Sequence, residues 1–165
     1  MSFFDFLNGA NNNGKKAAYD KAPGSWQDTS LEAEMRTLAQ EFLKKYTVPY
    51  GGLDFSTESL KVLDQLLDDA RGFYAEMSGE QQRKIIEGAG AYIFEVARKN
   101  VGGTYYWYQK LDQPVLVTGQ PKFEAAILTF KQVRQRLENG KDDSIPVYFE
   151  SYLEGVRQHR SAIVI

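Results

Sequence analysis

Residues 88–118, GAGAYIFEVARKNVGGTYYWYQKLDQPVLVT, contain a change of hydrophobic period that sets the fold class. Ala89, Tyr92, Ile93 and Val96, with Ile85 just ahead, recur at helical spacing, and Ser78 with Gln81 has the pattern of a capping box that opens this helix. Asn100, Gly102 and Gly103 then suit a left-handed helix stop followed by a strand in close contact. The aromatic run from Thr104 to Lys110 reads as a strand, 111–114 as a turn and 115–118 as the returning strand, which makes an antiparallel hairpin.

On the amino-terminal side, Leu31, Met35, Leu38, Phe42 and Tyr46 fall on one face of a helix over about 31–46, with Thr29 and Glu32 spaced as a capping box and Pro49, Gly51 and Gly52 as its end. A short extended piece at 53–55 leads to Ser56 as the cap of a second helix. Its Leu60, Leu63, Leu66 and Leu67 point inward, and its Asp64, Asp68 and Asp69 form a solvated surface.

On the carboxyl side, Gly119, Gln120 and Pro121 open a fourth helix that buries Phe123, Ile127, Phe130 and Leu137 and stops at Asn139 and Gly140. Ser144 and Pro146 begin a fifth, whose face is Ile145, Phe149, Tyr152, Leu153 and Val156; Asp142 and Asp143 favour its dipole. The β-branched tail Ile163 to Ile165 suits a third strand on the hairpin edge, since two strands alone are marginally stable.

The fold expected is therefore α+β and mostly helical, with about five helices, an antiparallel hairpin and a third short strand from the C-terminus. A single domain covers 25–165. Residues 1–24, where Phe3, Phe4, Phe6 and Leu7 precede Asn11 to Gly14, read as a flexible arm.

Composition excludes several functions. Twenty basic against 22 acidic residues give a formal charge of -2, which provides no field for a phosphate backbone, so nucleic acid is not an expected partner. The chain has no cysteine, hence no thiolate metal site or cysteine nucleophile, and no cofactor is expected. No apolar run approaches the ~20 residues of a membrane span, and the start lacks the basic flank of a secretory signal, so a cytoplasmic location is expected.

Chemistry-bearing residues are sparse. His159 is the only imidazole and no Gly-x-Ser-x-Gly turn accompanies it, so no catalytic residue is assigned. No calcium loop or other metal-ligand spacing occurs, and no phosphate-binding glycine motif. Gly88 and Gly90 inside a helix cost about 1 kcal/mol each against alanine, which points to another backbone packed closely there. Glu95 and Arg98 lie beside that notch on the helical wheel, as a binding pair or an ordinary surface pair.

Along the aromatic strand, Tyr105 and Trp107 share one face, and Tyr106 and Tyr108 the other. If helices cover one face, the other presents large amphipathic rings suited to binding. Gln120 and Lys122 at a helix start would offer free backbone N–H groups to an anion.

The motif GAGAYIFEVARKN at 88–100, followed by Gly102, Gly103 and an aromatic strand, resembles a group of small bacterial cytosolic proteins classed as a domain of unknown function. The resemblance continues through LDFSTESLKVLD at 53–64, PVLVTGQPKFE at 114–124 and RLENGKDDSIPVYFESY at 136–152. It implies a bacterial source and, by association with toxin and secretion genes, an immunity or adaptor role; it carries no catalytic residue. Poverty of catalytic groups beside a wealth of strand aromatics points to a non-catalytic module that binds another protein. The alternative is a small-molecule-binding protein or enzyme with a pocket near Glu95, Arg98 and the hairpin, and the apolar C-terminal edge suggests a homodimer.

Overall fold

A computed structural model describes residues 29–164, so the expected arm at 1–24 falls outside it. Among the described residues it has five α-helices and a four-stranded mixed sheet, in the order α1 (Thr29–Tyr50), α2 (Ser59–Tyr74), α3 (Gly79–Val101), β1 (Thr104–Tyr108), β2 (Gln113–Thr118), β3 (Ala125–Ile127), α4 (Thr129–Asn139), α5 (Ile145–Arg157) and β4 (Ala162–Val164). The chain is α+β and mostly helical, with an antiparallel β1–β2 hairpin, as its periodicity predicts.

α3 is the centre. Ser78 and Gln81 make both bonds of the capping box, and Gly102, at φ 77°, ends the helix with its N–H on the Arg98 carbonyl at 2.9 Å. The expected one-sided stripe is too narrow, however, because the ten residues from Gly88 to Ala97 are all buried. α1, α2, α4 and the inner face of the sheet surround the helix. Gly88 and Gly90 admit aromatic rings rather than the backbone expected there. A Cβ on Gly88 would stand 2.9 Å from Phe42 Cδ2, and one on Gly90 would overlap Phe130 Cδ1. Thr129 Oγ1 donates to the Gly90 carbonyl at 2.8 Å, pinning α4 to the same spot.

Several boundaries differ from the sequence reading. α1 continues through Pro49, because in the last turn a missing N–H removes only one intrahelical bond. Gly51 and Gly52, at φ 57° and 72°, then stop it. Residues 53–55 form no strand; they loop over α3, where Phe55 N–H donates to the Tyr92 hydroxyl at 3.1 Å and stacks on its ring. Glu58, not Ser56, holds the cap position of the next helix and makes no side-chain capping bond; Ser56 lies two residues ahead, its Oγ accepting the Ser59 N–H at 3.1 Å.

The largest correction lies after the hairpin. Residues 119–122 turn, 125–127 form β3 antiparallel to β2, and the fourth helix begins only at Thr129. The spacing of Phe123, Ile127 and Phe130 matched a helix, but Ala125 to Leu128 is a short apolar run buried throughout, which periodicity cannot assign. The C-terminal strand consequently pairs parallel with β3, through Ala125–Ala162 and Ile127–Val164, and not with the hairpin edge. α4 and α5 supply the crossover that a parallel neighbour requires.

Asp64 and Asp68 are not a solvated surface. They hold Arg136 of α4, whose side chain is 1% exposed: Nε donates to Asp64 Oδ1 at 2.9 Å and Nη2 to Asp68 Oδ1 at 3.1 Å. Asp64 Oδ1 also accepts the Ile145 N–H at 2.9 Å, so α5 is capped from α2, and Ser144 makes no capping bond of its own. Arg136 Nη1 has no hydrogen-bond partner among the described residues. Asp64→Ala should destabilise the protein by about 3–5 kcal/mol, because it strands a buried guanidinium, and Asp64→Asn by less. Chemical denaturation checks this. Gly90→Ala, measured the same way, should cost about 1–3 kcal/mol through overpacking against Phe130.

Candidate functional site

The residues singled out in the sequence divide between a buried polar cluster and the surfaces of the sheet. Glu95 projects from the middle of α3 with only 3% of its side chain exposed. A carboxylate so placed needs full pairing. Arg98, one turn on, supplies it with a two-pronged contact, Nε to Oε2 at 2.7 Å and Nη2 to Oε1 at 2.9 Å. Tyr105 of β1 donates its hydroxyl to Oε2 at 3.0 Å, and Arg36 of α1 brings Nε within 3.9 Å of Oε1. Three elements thus meet on one carboxylate. The ordinary surface pair is excluded by that burial.

Burial, together with the neighbouring Glu95 charge and hydrogen bond, pushes the Tyr105 phenol far above its usual range. The hydrogen bond to Glu95 raises the Arg98 guanidinium further. Glu95, whose two oxygens accept three bonds from Arg98 and Tyr105, is a tie between α3 and β1. Becoming a base for a ligand would require it to exchange one of them.

The strand alternates as expected. Tyr105 faces the helices and meets Phe94 edge-on with centroids 5.4 Å apart. Tyr106 and Tyr108 lie on the opposite, outer face, Tyr108 buried and Tyr106 half-buried. Tyr106 donates its hydroxyl to Gln120 Oε1 at 2.9 Å, and Gln120 Nε2 reaches Glu124 Oε1 at 3.2 Å. Trp107, beyond the reach of the helical layer, is 47% exposed, and Leu111 in the following turn 41%. Among the described residues β1 pairs only with β2, which leaves it as one edge of the sheet and β4 as the other.

Gln120 and Lys122 are not at a helix start. They belong to the β2–β3 turn, where the Lys122 and Phe123 N–H groups both donate to the Gly119 carbonyl, at 3.1 and 3.3 Å. The anion site expected there loses its donors. His159 is exposed and stacks on Phe123, centroids 4.7 Å apart.

Two clefts escaped the sequence reading. One of about 440 Å³ runs between α1 and α3, with Phe42, Tyr46, Met77 and Ile85 on its floor and Lys45, Arg83, Lys84, Glu41 and Glu87 around it. The other lies near Asp68, Arg71, Tyr74 and Glu138. Neither includes Glu95 or Arg98. The Arg136 cluster had a readable signal: a cation in register with Val133 and Leu137 on an apolar stripe demands a buried counter-charge. No helix among the described residues is long and apolar enough to cross a membrane.

Buried phenols impose a sign on the alkaline limb of stability. Burial pushes the Tyr152 hydroxyl up to about 12, and Tyr105 is raised as well. Below about pH 10 these phenols are neutral in both folded and unfolded chains. Above it the unfolded chain ionises first, so their contribution is lost as pH rises. The denaturation midpoint should hold to about pH 10 and then fall, with tyrosinate absorbance appearing late. Tyr105→Phe should cost about 1.5–3 kcal/mol at neutral pH through the lost bond to a charged group, and flatten that fall. No protein-family model, curated protein or solved structure matches this chain.

Proposed function

We propose that this protein is a non-catalytic module that binds another protein, of the immunity or adaptor kind, through the exposed rim of β1. The single observation that carries this reading is Trp107, a large amphipathic ring 47% exposed on an edge strand with Leu111 beside it. Tryptophan is prominent among residues that dominate binding energy, and an edge strand offers main-chain groups for strand addition. The motif at 88–100 and its resemblance to small bacterial cytosolic proteins support the same reading by association.

A small-molecule site around Glu95 and Arg98 is the second reading. Burial of the Glu95 carboxyl group beside the Arg98 guanidinium favours it. Against it stands saturation: both carboxylate oxygens already accept bonds from Arg98 or Tyr105. The homodimer proposal moves to the outer edge of β4, which carries the half-buried Ile163 and Val164.

Co-purification of the full chain from native lysate, followed by mass spectrometry, tests the leading reading. Trp107→Ala should weaken a captured partner by at least about 2 kcal/mol, roughly thirtyfold in affinity, with the fold intact. Unchanged capture by the variant would remove this rim from consideration. Glu95→Gln should leave capture unaltered, whereas loss of binding there would shift the site to the Glu95 cluster.

A further inference from the structure

The sheet has two apolar faces, and the described helices account for only one. Tyr105, Leu116, Ala125 and Ile127 pack into the helical core. On the reverse face Val115, Val117, Ala126 and Leu128 are at most 1% exposed, and Tyr108 is 5% exposed. These residues form a separate cluster, joined by Tyr106 and Ile163, and every member comes from the strands or the residue just after β3. Strand neighbours in the same sheet cannot roof each other, because their side chains stand side by side and perpendicular to it. A face of this kind left open would be an unusually large apolar patch for a monomer.

We infer that the outer face of the sheet is the docking site of the chain's own Phe3–Leu7 segment, seated in cis across β2 and β3. Chain length permits it. Leu7 precedes Thr29 by 22 residues, a reach of about 70 Å when extended, while four strands span only about 15 Å. Chemistry selects it. Phe3, Phe4, Phe6 and Leu7 concentrate large apolar groups, whereas 8–16 are dominated by Asn, Gly and Lys. A tethered segment also acts at an effective concentration near millimolar, which favours it over a second copy at ordinary protein concentrations.

The docking is independent of the partner reading, because its test measures contacts within this chain and uses no partner. Full-length protein with labelled Val and Leu methyl groups, diluted into unlabelled protein, is examined by nuclear Overhauser spectroscopy. The expected result is contact between the methyls of Val115, Val117 and Leu128 and the rings of Phe3, Phe4 and Phe6 within one molecule. Phe3→Ser, Phe4→Ser and Phe6→Ser combined should abolish those contacts and shift the same methyl signals, leaving Leu63 and Val96 in the helical core unmoved. Should the triple variant fail to fold, contacts in the unmodified chain decide the matter. Absence of ring contacts, contacts from Trp26 alone, or contacts only between differently labelled copies would each overturn the inference; the last would identify a second copy as the occupant.

Discussion

The architecture rests on a helix buried from every side. Ten residues of α3, from Gly88 to Ala97, have no solvent-facing side, so the rest of the molecule is arranged to cover them. Covering a helix all round demands close approach, which explains two interior glycines. Alanine there would gain about 1 kcal/mol of helix propensity but drive a methyl group into Phe42 or Phe130. The cost of glycine is thus offset by aromatic packing that no other residue permits.

The same burial explains the polar ties. Glu95 sits where a carboxylate is expensive unless fully paired, and Arg98, Tyr105 and Arg36 converge on it from a helix turn, a strand and a second helix. Asp64 and Asp68 do the equivalent for Arg136, joining α2 to α4 and, through the Ile145 N–H, to α5. Tyr92 ties the 53–57 loop through the Phe55 N–H and α2 through Ser59, and the Tyr152 hydroxyl donates to Thr118, whose own proton goes to the Gly102 carbonyl. Such ties fix which element sits beside which. They also use up most buried groups that could otherwise act on a ligand.

What the helical core leaves unaccounted for lies on the sheet. One face belongs to the core, the edge at β1 carries a half-exposed tryptophan, and the reverse face is a buried apolar surface that no described helix covers. Recognition at such edges and faces relies on rings, aliphatic floors and main-chain groups, and needs no reactive side chain.

The sequence by itself determined the elements that advertise themselves locally: the capping box at Ser78, the glycine stop at Gly102, the leucine stripe of α2 and the alternation of Tyr105 to Tyr108. Each depends on neighbours within one turn or one strand, so a window of residues contains the whole cause. Tertiary structure alone decided the rest. Ala125 to Leu128 is a strand because β2 and β4 bond to it, and the tail joins β3 because a helical crossover delivers it there. Asp64 is a cap and a counter-ion, rather than a surface charge, because residues 72 and 81 positions away bring their donors to it. Local pattern records what a residue prefers; which partner satisfies it depends on long-range packing, and that information resides in no single segment.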